Sequence, residues 1–174
     1  VAELDNPLVL IVESQIENIR KIQSVLEFVI KNNKSLLIIA DVDPKVISTL
    51  AMNKMKGNIK INIINAPTYG VSKKDMLSDL ALLTKATIVN EDLGDDMDLI
   101  QPDFLGHCVK SITTDTETVI KVAEIEDSVK GIIKNVKSEI SNTKNTAEIQ
   151  RLEKRLARLS AKIATVKVGA ETSI

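Results

Sequence analysis

Two aspartates, Asp41 and Asp43, give the clearest indication of catalysis in the sequence. They follow an apolar run at 36–40 that predicts a buried strand, and acids at the carboxyl end of a strand can act as nucleophile and general acid or base. A small doubly wound, aspartate-based hydrolase is therefore one hypothesis. The alternative is structural, because Pro44 comes next and an acid just before a helix-opening proline is typical of an N-cap.

Two further groups of polar residues have the right types for metal or nucleophile chemistry but the wrong spacing. Six acids lack the alternation, central glycine and terminal glutamate of a calcium loop, which favours a solvated acidic loop: Glu91, Asp92, Asp95, Asp96, Asp98 and Asp103. His107 and Cys108 are chain neighbours, which is poor geometry for a base and its nucleophile, and the chain has no second histidine or cysteine. We predict no catalytic residue and no metal ligand in these groups.

The composition excludes several classes of partner. The 174 residues include 23 Lys+Arg and 24 Asp+Glu, for a net charge of -1, whereas a nucleic-acid surface needs a clustered excess of basic residues. Aromatic residues are 2%, which leaves almost no platform for base stacking. The sequence has no apolar run of about 20 residues and no glycine-rich phosphate motif. We expect no nucleic-acid partner, no membrane span and no nucleotide-binding loop in this sequence.

Alternating strand and helix patterns predict an α/β fold. Four apolar runs predict strands, at 8–12, 36–40, 59–64 and 87–89. Three amphipathic stretches between them predict helices, at 16–31, 44–56 and 72–84, so the sheet should be mostly parallel. Short strands at 109–112, 118–122 and 163–168 frame two amphipathic stretches joined by a polar link at 141–146, which predicts an antiparallel helical hairpin lying against the sheet.

The first two helices carry wider apolar surfaces than one face of a sheet can cover. At 100° per residue, the apolar residues of 16–31 span about 200° and those of 44–56 about 240°, against about 100–140° for a helix on a sheet. Either other elements cover both sides of these helices, or their neighbouring apolar flanks form an exposed groove. An exposed apolar patch marks a partner site, and Met52 and Met55 would make such a site adaptable.

Short segments along the whole chain resemble the apical domain of group I (GroEL-type) chaperonins. The resemblance is carried, in order, by Val1-Ala2-Glu3-Leu4, Val25-Leu26-Glu27, residues 36–40, Gly57, Ala66-Pro67, Met76-Leu77, Leu105-Gly106, Arg151-Leu152, Arg155-Leu156-Ala157-Arg158-Leu159 and Val166-Lys167-Val168-Gly169-Ala170. It implies an α/β fold in which a mixed sheet is flanked by helices, with a C-terminal helical hairpin. Residues 1–168 would form the polypeptide-binding apical domain and 169–174 the start of a hinge, at Gly169, to the intermediate domain.

In the family that the sequence resembles, two helices rim the cavity of a heptameric ring. Their apolar side chains bind non-native polypeptide, and the mobile loop of the co-chaperonin competes for the same groove. The resemblance implies that six residues form this groove here: Gln23, Leu26, Ile47, Ala51, Met52 and Asn53. Gln23 and Ala51 stand where the family has larger aliphatic side chains.

The resemblance also implies what the full protein contains. Val1-Ala2-Glu3 is not an initiator sequence, so we expect an excised segment. ATP and magnesium would bind an equatorial domain outside it, where the full chain would hydrolyse ATP. The expected partners are non-native polypeptides, a co-chaperonin and the subunits of a homo- or hetero-heptameric ring. Leu105-Gly106-His107 resembles plastid-type members, which favours an organelle matrix (plastid over mitochondrion), with a bacterial-type cytoplasm as the alternative.

Overall fold

The structure, a computed structural model, describes residues 1–57, 59–65, 70–96, 100–161 and 163–167. Within these ranges eight strands form two four-stranded sheets, and five α-helices accompany them. The strands are β1 (Ala2–Asp5), β2 (Leu8–Ile11), β3 (Ser35–Ile39), β4 (Lys60–Ile64), β5 (Gly106–His107), β6 (Lys110–Thr113), β7 (Glu117–Lys121) and β8 (Ile163–Lys167). The helices are α1 (Gln23–Lys31), α2 (Pro44–Met55), α3 (Gly70–Thr84), α4 (Asp127–Asn142) and α5 (Thr146–Ser160).

The first sheet is mixed and has the order β4-β3-β2-β5. Strands β2, β3 and β4 are parallel, whereas β5 runs antiparallel to β2. Every residue of β3 is buried, as expected for a strand that is covered on both faces. At β5, a Cβ on Gly106 would lie 2.5 Å from the carbonyl oxygen of Thr84, so only glycine allows the chain to pass so close to the end of α3.

The second sheet has the order β1-β6-β7-β8 and is antiparallel throughout. A buried hydrogen bond joins the two sheets, because Asn62 Nδ2 of β4 donates to Thr113 Oγ1 of β6 at 2.7 Å. The predicted α/β class, with a mixed sheet flanked by helices, is confirmed. The sequence patterns did not separate this second sheet from the first, since β1 buries only Leu4 and therefore shows little apolar signal.

The two faces of the first sheet support two separate apolar cores. Along β2 the side chains alternate, so that Leu10 faces α1 and α2 while Val9 and Ile11 face the opposite side. On that opposite side, α3, α4, α5 and the second sheet all contribute buried residues: Leu77, Leu80, Val129, Leu159 and Ile120. The cores thus place α1 and α2, together with short connecting segments such as the one around Ile100 and Phe104, on one face. Helices α3, α4 and α5 and the second sheet lie on the other.

Local signals explain where α1 and α2 begin and end. A 3-10 turn at Ile19–Ile22, capped by Asn18, precedes α1, so the predicted helix 16–31 is regular only from Gln23 onward. Positive φ values at Asn33 (52°) and Gly57 (75°) follow the two helices and turn the chain toward β3 and β4. The strand predicted at 87–89 is wrong: Val89 makes only an isolated bridge to Val12, and the Thr87 N–H donates to the carbonyl of Phe104 instead.

The predicted C-terminal helical hairpin is confirmed. Helices α4 and α5 pack together and are joined by Thr143 and two further residues, with the Asn145 side chain accepting the Glu148 N–H at the start of α5. Helix α5 also packs along α3, which attaches the hairpin to the body of the protein.

Candidate functional site

A groove of about 370 Å³ lies between α1 and α2. Helix α1 supplies one face to it at helical spacing, and α2 and the segment before β4 supply the remainder. The lining residues are Gln23, Leu26, Glu27, Ile30, Leu50, Asn53 and Ile59. The first four follow the i, i+3, i+4, i+7 pattern of a single helix face, which is why they line one wall together.

The inner faces of α1 and α2 hold the helices on the sheet and leave their flanks in solvent. Val25 and Val29 of α1 and Val46 and Leu50 of α2 are all buried in the core. Beside them, the exposed fractions of three apolar side chains are large: 51% for Ile30, 60% for Met52 and 87% for Met55. The broad apolar arcs predicted for these helices therefore have an exposed part as well as a buried one.

The structure brings together three of the six residues that the resemblance implied. Gln23, Leu26 and Asn53 line the groove. Met52 is exposed elsewhere on α2, whereas Ile47 and Ala51 are half-buried, and these three are not part of the lining that the described residues form. Their assignment to a binding site stays a prediction.

The polar groups of the groove bond within their own helices. Gln23 Nε2 donates to Glu27 Oε1 at 3.1 Å, and Asn53 Nδ2 donates to the backbone carbonyl of Thr49 at 3.0 Å. Polar side chains that are already paired locally place no fixed demand on an occupant. The groove therefore offers mainly apolar contact.

Four lining residues were outside the six: Glu27, Ile30, Leu50 and Ile59. Helical spacing carries a signal for three of them, since Glu27 lies four residues after Gln23, Ile30 four after Leu26 and Leu50 three before Asn53. Ile59 has no such signal. It reaches the groove only because the chain reverses at Gly57 before entering β4.

The aspartates that suggested catalysis have structural surroundings. The Asp43 carboxylate accepts the backbone N–H of Lys45 at 2.8 Å, which confirms the N-cap interpretation. Asp41 is exposed, and its carbonyl accepts the Ile16 N–H at 2.9 Å. Because an Asp43 carboxylate oxygen accepts a backbone N–H at the start of α2, this geometry gives the hydrolase hypothesis no support.

The other residues that were considered for metal or nucleophile chemistry lie apart from the groove. His107 is exposed and Cys108 is buried, and that burial raises the pKa of the Cys108 thiol to about 11.

In the acidic segment, Asn90 caps a 3-10 turn, Glu91 pairs with Lys21 at 2.9 Å, and Asp98 lies outside the described residues. Across the described ranges, no group of three or more histidine, cysteine or acidic side chains is placed to hold a metal ion. No described helix combines the length and the apolar character that crossing a membrane requires.

An ionic seam joins α3 to α5 on the other side of the sheet. The Asp79 carboxylate is fully buried and lies 3.0 Å from Arg155 Nη2 and 2.9 Å from Arg158 Nη2. Burial raises the pKa of Asp79, and the two guanidinium groups oppose that rise. One helical turn earlier, Arg151 bridges Asp75 at 2.8 Å and Glu148. The paired positions advance together along both helices, so α3 and α5 run in the same direction.

No family model matches the sequence. Among solved structures, the fold matches the crystal structure of the chaperonin gp146 from the bacteriophage EL 2 (Pseudomonas aeruginosa), determined in the presence of ATP-BeFx, with a TM-score of 0.62. The match covers 97% of this chain and 34% of the phage protein at 14% sequence identity. By fold, this chain resembles part of a chaperonin.

A second chaperonin structure matches more weakly. It is the open-state monomer of a group II chaperonin from Methanococcoides burtonii, with a TM-score of 0.44 and 12% identity, over 91% of this chain and 47% of that one. The chain spans about a third of the length of the chaperonin from the phage. Within the chaperonin-like fold, the predicted boundary at 168/169 and the hinge at Gly169 lie outside the described residues.

Proposed function

We propose that this chain is the polypeptide-binding segment of a chaperonin that assists protein folding, and that the groove between α1 and α2 receives apolar stretches of non-native polypeptide. One observation carries the proposal: in a fold similar to a chaperonin's, an open and mainly apolar groove is lined by the half-exposed Ile30, and α2 carries the exposed Met52 and Met55 outside that lining. Large exposed apolar side chains that cluster on a soluble domain are typical of a partner-binding surface.

The energetics of the groove suit weak, unselective binding. Each aliphatic side chain that an occupant buries contributes on the order of 1.5–3 kcal/mol before the cost of ordering the occupant is subtracted. Where an occupant extends over α2 beyond the groove, the exposed Met52 and Met55 are unbranched and flexible and would adapt to its shape. A site that demands apolar surface and little else fits unfolded chains of many sequences.

On this proposal the finer assignments follow the resemblance to group I chaperonins. Ile47, Ala51 and Met52 would extend the binding surface along α2, and a co-chaperonin loop would compete for it. Residues 1–168 would be the apical domain in a homo- or hetero-heptameric ring, with Gly169 at its hinge. ATP hydrolysis would occur in other parts of the protein, in an organelle matrix or a bacterial-type cytoplasm.

The test measures the affinity of the chain for a permanently unfolded, reduced and alkylated protein by fluorescence anisotropy. Leu26→Ser and Ile30→Ser should each raise the Kd roughly three- to tenfold, because each removes about 1 kcal/mol of apolar contact. Ile30→Ser should leave the denaturation midpoint nearly unchanged, since half of that side chain is already in solvent.

Leu93→Ser is the matched control. Leu93 is an aliphatic residue that is 81% exposed and does not line the groove that the described residues form. Its replacement should leave the Kd unchanged. The proposal fails if Leu93→Ser weakens binding as much as Ile30→Ser, or if neither groove variant alters the affinity.

A further inference from the structure

One end of the groove opens toward a second, smaller cavity that carries positive charge. This cavity is about 60 Å³ in volume. Its lining residues are Val29, Ile30, Asn33, Lys34, Gly57, Ile59 and Lys60. Ile30 and Ile59 line both spaces, so the apolar surface of the groove continues to two lysines.

The fold fixes both lysines at this end. Lys34 follows the positive-φ residue Asn33, and its backbone N–H bonds to the Val29 carbonyl at 2.8 Å, which closes the end of α1. Lys60 opens β4, and the parallel register pairs it with Ser35, the neighbour of Lys34. The β3–β4 pairing therefore sets the two positions side by side.

The positive charge at this end has little local compensation. Among the described residues, neither the Lys34 nor the Lys60 ammonium group takes part in an ion pair, and both residues are exposed. The carboxylate of Asp5, whose carbonyl bonds to Ser35, is paired with Lys110 at 3.7 Å. Glu27 lines the groove but not the smaller cavity that the two lysines line.

Two more lysines, Lys31 and Lys56, lie at the C-terminal ends of the two helices. Lys31 is the last residue of α1 and Lys56 is the C-cap of α2, where a cation offsets the partial negative charge of a helix end. Lys34 and Lys60 lie beyond both helices, so they are surplus to that compensation. A chain with a net charge of -1 thus presents a local positive site at one end of its apolar groove.

We propose that the groove selects apolar polypeptide segments that carry carboxylate side chains at the end lying over Lys34 and Lys60. The inference rests on the proposed function, because the same groove must first hold the apolar part of the segment. Carboxylates placed there gain two cationic partners, whereas a basic flank is repelled by them. The preferred occupant is therefore an apolar stretch that is followed or preceded by aspartate or glutamate.

The experiment compares fluorescein-labelled peptides that share one core of alternating apolar residues and differ in a terminal triad of Asp, Ser or Lys. Each triad is placed at the N-terminus in one set and at the C-terminus in the other. In one of the two sets the Asp peptide should bind this chain roughly fivefold more tightly than the Ser peptide at low ionic strength, and the Lys peptide more weakly than both. The preference should disappear near 0.5 M salt, since charges at the surface are then screened within a few Å.

Two double variants with the same change in net charge locate the effect. Lys34→Gln/Lys60→Gln should abolish the preference for Asp while leaving the Kd of the Ser peptide unchanged. Lys134→Gln/Lys137→Gln, on exposed positions of α4, should retain the preference. Equal affinities for all triads in the parent protein, or a preference that survives Lys34→Gln/Lys60→Gln, would overturn the inference.

The Ser peptide separates this inference from the proposed function. If the Ser peptide binds and Ile30→Ser weakens it, the groove is a polypeptide site, and indifference to the triads then refutes charge selection alone. If the Ser peptide does not bind, the proposed function fails and charge selection fails with it.

Discussion

The two faces of the first sheet carry opposite kinds of unfavourable side-chain environment. On one face, α1 and α2 leave apolar side chains in solvent, with Met52 60% exposed. On the other face, the seam between α3 and α5 removes a charge from solvent altogether, since Asp79 is fully buried between Arg155 and Arg158. An apolar side chain in water and a charge removed from water are each unfavourable by themselves, and they are compensated in different ways.

A buried carboxylate is tolerated only when its partners meet it in the right geometry, so the ionic seam permits one docking of α5 on α3. An exposed methionine requires no partner for the protein to be stable. On the proposed function, the first face would accept occupants of different shape while the second keeps the scaffold in one arrangement. On that proposal, the rigid α3–α5 packing and the adaptable binding surface lie on opposite sides of one sheet.

Breaking the seam should have the largest effect on stability. Asp79→Ala leaves Arg155 and Arg158 without their shared partner, and we expect the free energy of unfolding to fall by about 3–5 kcal/mol, as when one member of a buried pair is removed. Urea unfolding followed by circular dichroism measures this. Asp75→Ala is the control and should cost less, because Arg151 keeps Glu148. A midpoint for Asp79→Ala equal to that of the parent would show that the seam does not fix the hairpin.

Two apolar residues of α2 sharpen the comparison, since they lie two positions apart on different faces of the helix. Leu50→Ala should lower the free energy of unfolding by about 2–5 kcal/mol, because Leu50 is fully buried. Met52→Ala should change it by less than about 0.5 kcal/mol, yet weaken the binding of unfolded protein if Met52 belongs to the binding surface. Thermal unfolding and anisotropy together measure both effects. Similar stability losses for the two variants would contradict the division between a core face and a binding face.

The rate at which a thiol reacts should distinguish the closed side of the sheet from the exposed side, because one has the buried Cys108 and the other the exposed position 52. This experiment requires little change in stability at neutral pH. Because burial raises the pKa of Cys108 to about 11, the folded protein holds this thiol protonated at pH 8, and a disulfide reagent should react with it only as the protein unfolds. Met52→Cys in a Cys108→Ala background should react at the rate of a free thiol. Fast labelling of Cys108 in the native parent would disprove the closed packing of that side.

The same shift predicts a pH dependence of stability with a definite sign. The folded state binds the Cys108 proton more tightly than the unfolded state, whose thiol has a pKa near 9.0. Its contribution to the free energy of unfolding is therefore complete below pH 9 and is lost as the pH rises toward 11. Unfolding of the parent and of Cys108→Ala, compared between pH 8 and pH 10.5, isolates this contribution; parallel curves would count against it.

Sequence patterns predicted those parts of the fold whose signals are local. The apolar run at 36–40 and the Asp43 cap are encoded within single elements, and both have the predicted structural role. The excess apolar arc pointed to α1 and α2, where the groove is found. The resemblance added Gln23, Leu26 and Asn53 as lining residues.

The features that were missed depend on contacts between distant segments. Ile59 reaches the groove because the chain reverses at Gly57, and Lys60 lies beside Lys34 through the register of β3 and β4. No periodicity within one element encodes either contact. The segment at 87–89 looked like a strand because three β-branched residues occur together. Val89 does bond to Ile11 and Glu13 along the edge of β2, but the Thr87 N–H donates to the carbonyl of Phe104, so the pairing ends at a single bridge. A helical wheel also does not distinguish Leu26 from Ile47: both are partly buried against the core, but of the two Leu26 alone lines the groove that the described residues form.

The pairing of β1 with β6 sets the order in which the protein can assemble during its own synthesis. Ala2 of β1 is opposite Thr113 of β6, so the first strand has no partner until more than a hundred further residues have been added. At 5–20 residues per second, that interval is roughly 6–22 s. Until then β1 has no strand partner, and the backbone groups that later bond to β6 remain unpaired, as on any open strand edge. The nascent chain therefore passes through the kind of extended, incompletely paired state that defines a non-native polypeptide.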